Sequence, residues 1–478
     1  MRSFPRRTFL KTMGALPVLM SLGLGREEEV RASEQGLLRG SLGPVGWPKG
    51  AKVFPEGHGT VGFPPGYLTI IQGATSATET LINIFAPRLK RYSYEAWDAS
   101  GRALSVSHYE TVTGPGFYHI HKIRVTGLCL GQEYTLRVLD RSTVVDERCF
   151  AALDTNKTNP VFGLLSCMSD DYRFSQVIDP MWERLRQSNP DFLILNGDLV
   201  YVDSFEFVER QRATEADIWQ RYVDSFRRIP VYHWRRLVPI LATWDDHDFG
   251  TNDGDREFVS KEAVLRLFRG AFGGAELPGV WEAGPHGVSS VFTGFGQRFF
   301  LMDDRMFRQP NRNQVTPDPF GHWGQEQHDW LRRKLSEDTS PAWIVNGNQF
   351  FNGRALDFKE AFEANHPAEF VTFIDELRQI AAPVVFASGD IHISEIMRVP
   401  ADRAGYETFE ITSSSMHSYT GSGWDNPMRL EGAYTNEFNF LLIQSQARPG
   451  ELNIGVKSLG LASDSYFEKT LLVRGKQG

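Results

Sequence analysis

The chain has 478 residues, of which 41% are hydrophobic and 23% are charged, and its formal net charge is −8. This composition is that of an ordinary globular protein and excludes collagen-like, low-complexity and mainly disordered classes. Residues 1–32 hold six basic and three acidic side chains, so the remaining body has a formal charge of −11. We therefore expect no nucleic-acid-binding surface and no anionic-membrane surface, because both require a basic face.

The amino terminus has the pattern of an export signal. Arg6 and Arg7 precede an apolar run over residues 13–25. This run is shorter than the roughly 20 residues that span a bilayer, but it fits the core of a signal peptide. We expect residues 1–32 to be a twin-arginine signal peptide that brings the chain to the twin-arginine translocase. The mature protein is then periplasmic or secreted, without a transmembrane segment, and a mitochondrial-type presequence is the alternative.

Short strands with alternating apolar and polar residues occupy residues 60–155, which is typical of half-buried antiparallel strands. The segment 128–134 resembles the corner of fibronectin type III domains, where a tyrosine hydroxyl returns to the preceding turn. We expect a fibronectin III-like β-sandwich whose role is packing or shaping the site entrance. An edge elaboration of the main sheet is the alternative. Cys129 and Cys149 lie in this region, and their spacing does not require a disulfide.

Continuous apolar runs alternate with helical stretches from Val161 onward. Such runs, for example 161–165 and 192–195, predict strands that are buried on both faces. Helices are expected between them, for example at Glu215–Arg228 and Gln325–Glu337. The pattern predicts an α/β fold with a layered sheet covered by helices.

Several predicted strands end in polar side chains instead of a plain turn. The endings share acids, amides, a cysteine and histidines, and they are Ser166-Cys167, Gly197-Asp198 with Tyr201, Asp245-Asp246-His247-Asp248, Gly347-Asn348-Gln349, and Gly389-Asp390 with His392. Ligands bind beyond the carboxyl ends of strands in open α/β sheets. We expect these endings to converge on one sheet edge.

Carboxylates crowded at one edge raise one another's pKa unless a cation neutralises them, so the endings predict a two-metal centre. A thiolate, a carboxylate, a phenolate and an imidazole suit a strongly Lewis-acidic trivalent ion. The oxygen-rich neighbouring site suits a hard divalent cation such as calcium or manganese.

The motifs, in this order, resemble those of the PhoD-like alkaline phosphatases, a family of the calcineurin-like metallophosphoesterase superfamily. The resemblance rests on Gly197-Asp198-x-x-Tyr201, Trp244-Asp245-Asp246-His247-Asp248 and Gly389-Asp390-x-His392. It covers residues 60–470 and implies a metallophosphoesterase-type layered αββα sandwich at residues 160–475, after the amino-terminal β-sandwich.

The resemblance also implies the metals and their ligands. Fe³⁺ would be held by Cys167, Asp198, Tyr201 and His392, with Asp198 bridging to the second metal. The second site would hold Ca²⁺, with Mn²⁺ or Zn²⁺ as alternatives, and its ligands are Asp246 and Asp390.

Further side chains are expected around the metals. His247 would contact phosphate or protonate the leaving alkoxide, and a structural hydrogen-bonding histidine is the alternative. Arg305 would hold phosphate oxygens through its planar fork, and a surface ion pair is the alternative. The candidates for orienting these groups, or for contacting metal or phosphate, are Asp245, Asp248 and Asn348, with Gln349 as an equal choice for the last. His417 is expected at the rim of the site.

The implied function is an exported, alkaline phosphatase D-like phosphoric ester hydrolase, in which a metal-bound hydroxide attacks the phosphorus of a small phosphate ester. Phosphodiesterase or phospholipase D-like activity at the same centre is the first alternative. A non-catalytic calcium- or carbohydrate-binding surface protein is the second, and a scaffold of hydrogen-bonded buried carboxylates is the third. Residues 355–367 are predicted to form a lid or an exposed amphipathic helix.

Overall fold

The computed structural model describes residues 68–204, 206–311, 318–353, 361–421 and 425–476. The predicted signal peptide at residues 1–32 and the first residues of the predicted β-sandwich lie outside this part. Within the described part, none of the helices combines the length and the hydropathy that a membrane span requires.

The described residues contain strands of three to ten residues that belong to four sheets. The strands are β1 (Ile70–Thr75), β2 (Glu79–Pro87), β3 (Tyr92–Asp98), β4 (Ser105–Thr113), β5 (Tyr118–Thr126), β6 (Glu133–Asp140), β7 (Thr143–Ala151), β8 (Val161–Leu165), β9 (Phe192–Asn196), β10 (Ile240–Thr243), β11 (Trp281–Ala283), β12 (Ser290–Gly294), β13 (Gln297–Leu301), β14 (Ala342–Val345), β15 (Val384–Ser388), β16 (Ser394–Val399), β17 (Thr408–Thr412), β18 (Arg429–Thr435), β19 (Asn439–Arg448), β20 (Glu451–Gly460) and β21 (Phe467–Arg474).

In the described residues, all the helices follow strand β8 (Val161–Leu165) in the chain. They are α1 (Ser175–Gln187), α2 (Glu206–Glu209), α3 (Glu215–Arg228), α4 (Asp246–Phe249), α5 (Lys261–Phe272), α6 (Gln325–Glu337), α7 (Phe362–Asn365), α8 (Pro367–Leu377) and α9 (Ala401–Ala404), and 3₁₀ turns occur at Tyr172–Phe174, Val202–Ser204 and Pro230–His233. The two helices that the sequence predicted at 215–228 and 325–337 are confirmed with their bounds.

The first seven strands form two antiparallel sheets, in the orders β1-β2-β5-β4 and β3-β6-β7. In β6 the side chains of Tyr134, Leu136 and Val138 are buried while their neighbours are more exposed, and this is the alternation that the sequence predicted. These side chains share one core with residues of the four-stranded sheet. The Tyr134 hydroxyl accepts a hydrogen bond of 2.7 Å from the backbone N–H of Cys129, the turn that precedes β6.

The four-stranded sheet packs against a helix that follows it in the chain, α3. Phe85 of β2 lies edge-on to Phe226 of α3, with ring centroids 5.4 Å apart. A Cβ added at Gly114, which follows β4, would lie 2.1 Å from the Trp219 ring of α3, so the loop touches the helix directly. The four-stranded sheet is therefore anchored on α3.

The residues from Val161 onward form two larger sheets. One has the order β10-β9-β8-β19-β20-β21, in which β10, β9 and β8 are parallel and the others antiparallel. The other has the order β11-β12-β13-β14-β15-β17-β16-β18, with β13, β14, β15 and β17 parallel. Mixed α/β architecture is confirmed, but the expectation of a single sheet edge is wrong, because the polar endings belong to two sheets.

The two larger sheets share a core. Phe162 of β8 contacts Phe299 of β13 and Trp343 of β14, with ring centroids 5.7 and 5.4 Å apart. Helices contact the sheets elsewhere: Trp330 of α6 lies edge-on to Phe300 of β13 at 5.7 Å. Burial of strands on both faces explains their continuous apolar sequences.

Glycines allow the ends of the two sheets to meet. A Cβ at Gly347, after β14, would lie 2.6 Å from the carbonyl oxygen of Trp244, after β10. A Cβ at Gly389, after β15, would lie 2.6 Å from Ser166 Oγ, after β8. Since real Cβ atoms do not approach other atoms so closely, only glycine permits this contact between the loops.

Candidate metal centre

Four of the predicted iron ligands meet where β8, β9 and β15 end. Cys167, Asp198 and His392 are buried, and each offers a ligand atom within 4.8 Å of the others. Cys167 Sγ lies 3.5 Å from Asp198 Oδ2, and the Tyr201 hydroxyl lies 3.4 Å from the same oxygen. The structure therefore brings together a thiol, a carboxylate, a phenol and an imidazole.

Two further groups of potential ligands continue this cluster. Asp198, Asp246 and His247 form one group, and Asp245, Asp246 and Asp390 form another, each with ligand atoms within 4.8 Å. Asp198 belongs to both the first and the second group, and Asp246 belongs to both the second and the third. The result is one continuous set of ligand atoms contributed by the ends of four strands.

The backbone of this cluster has an uncommon conformation. The φ angles of Cys167, Asp198, Asp390 and His392 are 55°, 55°, 67° and 57°. Residues other than glycine rarely adopt positive φ, and such strained positions concentrate at functional sites. Four of the predicted ligands share this strain, so the loops are shaped for the positions of the side chains.

The cluster also leaves buried oxygen atoms without partners. Asp198 Oδ1 and Asp245 Oδ2 are buried and form no hydrogen bond, although buried polar atoms are normally bonded. Burial, together with Asp246 and Asp390, raises the pKa of both carboxyls well above the usual range, and this outweighs the opposing effects of His247 on Asp198 and of Arg305 on Asp245. Bound cations would supply the missing partners and keep the carboxyls ionised, so the residues present fit a metal centre.

Serine hydroxyls surround the thiol and the phenol. Ser414 Oγ donates a hydrogen bond of 2.9 Å to Cys167 Sγ, and Ser418 Oγ donates one of 2.8 Å to the Tyr201 oxygen. Burial and the neighbouring Asp198 raise the pKa of Cys167 and of Tyr201 well above their usual ranges. Hydroxyl donors of this kind favour the thiolate and phenolate that a trivalent cation binds. Neither serine was predicted as part of the site, because nothing distinguishes a donor serine from any other in the sequence.

The imidazole of His392 is oriented by the backbone. Its Nδ1 donates to the carbonyl oxygen of Tyr419 at 2.8 Å, and this leaves the lone pair on Nε2. Metal-binding histidines commonly fix their tautomer through such a bond.

His247 is held by Asp203, an acid that was not predicted as part of the site. Its Nδ1 lies 2.8 Å from Asp203 Oδ1, and its ring centroid lies 4.3 Å from that of Tyr201, with the two planes tilted by 30°. Burial lowers the pKa of His247, but Asp203, Asp198 and Asp246 outweigh this effect and raise it well above the usual range. Asp203 lies in the 3₁₀ turn after Tyr201, and a contact across 44 residues leaves no local signal in the sequence.

Arg305 and Asp248 hold residues of the cluster in place through hydrogen bonds. Arg305 is buried, and its Nε donates a hydrogen bond of 2.5 Å to Asp245 Oδ1, so the alternative of a surface ion pair is wrong and the pair is buried. Asp248 Oδ1 accepts the backbone N–H groups of Leu199 and Val200 at 2.8 and 2.7 Å, and it supports the loop that carries Asp198 and Tyr201.

The amides after β14 form a network of their own. The backbone N–H of Asn348 donates to Asp304 Oδ2 at 3.0 Å, and its side-chain oxygen accepts from Asn346 Nδ2 at 2.6 Å. Gln349 Nε2 donates to Glu395 Oε1 at 3.1 Å.

The sequence predicts His417 at the rim of the site, but the structure buries it. It is fully buried, its Nε2 accepts from Trp182 Nε1 at 2.8 Å, and its Nδ1 donates to the Ser169 carbonyl at 2.9 Å. Cys129 and Cys149 are separate thiols. Of the segment 355–367, the described residues 361–367 contain α7, whose Phe362 is fully buried, so this part is not an exposed helix.

Comparisons with known proteins support the fold alone. No family model matches the chain, and no curated protein matches it. A solved structure described as the structure of PhoD aligns with 85% of this chain and 90% of its own, at 15% identity and a TM-score of 0.64. A Vps29 variant from Entamoeba histolytica aligns with 66% of this chain and 99% of its own, at 11% identity, but its TM-score of 0.24 carries no argument. The chain therefore has a PhoD-like, mixed α/β fold with several sheets.

Proposed function

We propose that the chain is a metal-dependent phosphoric ester hydrolase of the alkaline phosphatase D type. The observation that carries this proposal is the overlap of the three ligand groups through Asp198 and Asp246, with Asp198 Oδ1 buried and unbonded. A shared carboxylate with a vacant oxygen is what a bridging ligand between two cations requires. The PhoD-like fold adds independent support.

The proposed iron ligands are Cys167, Asp198, Tyr201 and His392, and the proposed ligands of the second metal are Asp246 and Asp390 together with the bridging Asp198. Ca²⁺ suits the second site because its donors are carboxylate oxygens, with Mn²⁺ or Zn²⁺ as alternatives. When bound, the two cations would supply Lewis acidity and neutralise the charge of the phosphoryl group.

His247 is the proposed acid of the reaction. Asp203 holds its Nδ1–H, so Nε2 is the nitrogen that faces away from this bond and that carries the second proton when the ring is charged. The raised pKa keeps the ring protonated, and Nε2–H then binds a phosphoryl oxygen or protonates the leaving alkoxide. Arg305 holds Asp245 in place, and we propose that its guanidinium also attracts the phosphate dianion through charge.

The finer assignments of the fold belong to this proposal. The shared core of the two larger sheets, with helices such as α6 against them, supports a metallophosphoesterase-type αββα sandwich at residues 160–475. The Tyr134 corner and the two antiparallel sheets support a fibronectin III-like domain at residues 60–155. The paired arginines of the amino terminus support export by the twin-arginine translocase to the periplasm or outside.

The test combines metal analysis with two substrates. Purified protein is assayed on nitrophenyl phosphate and bis-nitrophenyl phosphate side by side, with Asp198→Ala as the inactive variant and Asp375→Asn as a surface carboxylate control. We expect hydrolysis by wild type and Asp375→Asn, and metal in both. The faster ester decides between phosphatase and the phosphodiesterase or phospholipase D-like alternative. A protein without metal and without either activity would contradict the proposal and favour the non-catalytic alternatives.

A further inference from the structure

Helix α3 contacts three of the loops that carry the proposed ligands. Its buried Arg221 reaches two of them, and the hydroxyl of the next residue, Tyr222, donates a hydrogen bond of 2.7 Å to the carbonyl oxygen of Asp248 in the third. The proposed function gives roles to side chains of these loops and none to helix α3.

The guanidinium of Arg221 joins the loop after β8 to the loop after β9. Its Nη1 donates to Asp170 Oδ2 at 2.9 Å and its Nη2 to the other carboxylate oxygen, which is a bidentate pair. Its Nε donates to the carbonyl oxygen of Tyr201 at 3.0 Å and to Ser204 Oγ at 2.8 Å. Asp170 follows Cys167 by three residues, so one planar cation links the neighbourhoods of the thiol and of the phenol.

The pair is charged and rigid. Burial raises the pKa of Asp170, but Arg221 outweighs this effect and lowers it below the usual value, so the carboxylate stays ionised. The helix begins with a capping box between Thr214 and Asp217 and buries Trp219 in the core. Breaking a buried pair leaves an uncompensated charge, and the loops would have to move to solvate it.

We infer that Arg221 is a positioning residue of the iron site, which sets the separation between Cys167 Sγ and the Tyr201 hydroxyl through its bonds to the two loops. The inference rests on the proposed function, because it requires a metal between these two side chains. Arg221 touches neither metal nor substrate in this proposal and acts through the two loops.

The test compares Arg221→Met and Arg221→Lys with Arg266→Met. The control removes the exposed ion pair between Arg266 of α5 and Glu215 of α3, so it deletes a guanidinium–carboxylate pair that also involves α3. The holoproteins are measured for iron, for the second metal, for the visible absorption of thiolate- and phenolate-bound iron, and for thermal unfolding. We expect Arg221→Met to bind iron about tenfold to a hundredfold more weakly, with a shifted absorption band. The second metal is retained, Arg221→Lys is intermediate, and Arg266→Met behaves as wild type.

The outcomes separate this inference from the proposed function. Iron content and absorption that are unchanged in folded Arg221→Met would overturn the inference alone. A wild-type protein that holds no metal would overturn the proposed centre, and the inference with it. If Arg221→Met does not fold, Arg221→Lys and Asp170→Asn provide the comparison, and wild-type absorption in both overturns the inference.

Discussion

Two clusters of buried acids in this chain solve the same electrostatic problem in different ways. Glu410 of β17 and Glu395 of β16 are almost fully buried. Glu410 accepts hydrogen bonds from the backbone N–H groups of Phe350 and Phe351 at 2.8 and 3.0 Å and from Ser388 Oγ at 2.7 Å. Both of its oxygens are bonded, as buried carboxylates normally are.

The acids at the strand ends lie close to one another, and not all of their oxygens are bonded. Asp198, Asp246 and Asp390 lie among other carboxylates, and Asp198 Oδ1 has no donor although it is buried. The glutamate cluster shows how this protein satisfies acids that serve structure alone. A scaffold of hydrogen-bonded carboxylates therefore accounts for Glu410 and leaves Asp198 Oδ1 unexplained.

The largest expected effect comes from replacing the shared ligand. Asp198→Asn removes one charge and should lower kcat/KM about a thousandfold, or about 4 kcal/mol, because both cations lose a ligand. The metal-free variant should be at least as stable as metal-free wild type, since a buried carboxyl without a cation must either take up a proton or stay charged, and the amide needs neither. Steady-state kinetics and denaturant unfolding measure the two effects. Retained activity, or a large loss of metal-free stability, would place Asp198 in the same class as Glu410.

The thiol ligand has a smaller but more specific expected effect. Cys167→Ala should fold, lose iron and its visible colour, and hydrolyse nitrophenyl phosphate roughly several hundredfold more slowly. Elemental analysis and absorption spectra are the measurements, and Cys129→Ala, at an exposed thiol, is the control. Persisting colour and rate would show that Cys167 is not a ligand.

Replacing His247, the proposed proton donor, or its partner Asp203 should lower the rate without changing the metal content. His247→Gln is expected to lower kcat about a hundredfold, and Asp203→Asn about tenfold, because the first removes the proton donor and the second only its orienting partner. Metal content should equal that of wild type in both. An equal loss for the two variants, or a loss of metal, would contradict the proposed division of roles.

The smallest effect on activity is expected in the satisfied cluster. Glu410→Gln should keep kcat within about twofold but lose about 1–3 kcal/mol of unfolding free energy, because its amide cannot accept from both backbone groups. Burial raises the pKa of Glu410 from 4.5 to about 7. The folded state therefore keeps a proton that the unfolded state loses, and the stability from this group is full below pH 4.5 and is lost as the pH rises through 7.

This sign is tested by unfolding both proteins between pH 4.5 and 8. The advantage of wild type over Glu410→Gln should shrink over this interval, by up to about 3 kcal/mol. An advantage that grows with pH would show that the carboxylate is ionised in the folded protein.

Local sequence determined much of the fold from Val161 onward. Strands β8, β9, β10, β14 and β15 were predictable because burial on both faces imposes continuous apolar sequences. The polar residues at the ends of these strands were predictable as a set too. Acids, a cysteine and histidines directly after a buried apolar strand are easily recognised in the sequence.

The strands β16 to β21 were not predicted. In β20, buried residues alternate with half-buried ones over most of the strand, so it carries no continuous apolar run. One of their pairings joins distant parts of the chain: β19 pairs with β8, with Leu441 opposite Leu164. Local patterns do not encode such a partner.

The residues that can bind cations are readable from the amino-acid sequence, because thiol, phenol, imidazole and carboxylate chemistry belongs to the side chains. Tertiary packing brings them together from two sheets, and not one, with glycines where the loops touch. It also decided the neighbours that tune them: Ser414 and Ser418, Asp203, and Arg221 on α3. These contacts cross up to 247 residues of chain, and hydroxyl, carboxylate and guanidinium groups acquire such roles from their position in space alone.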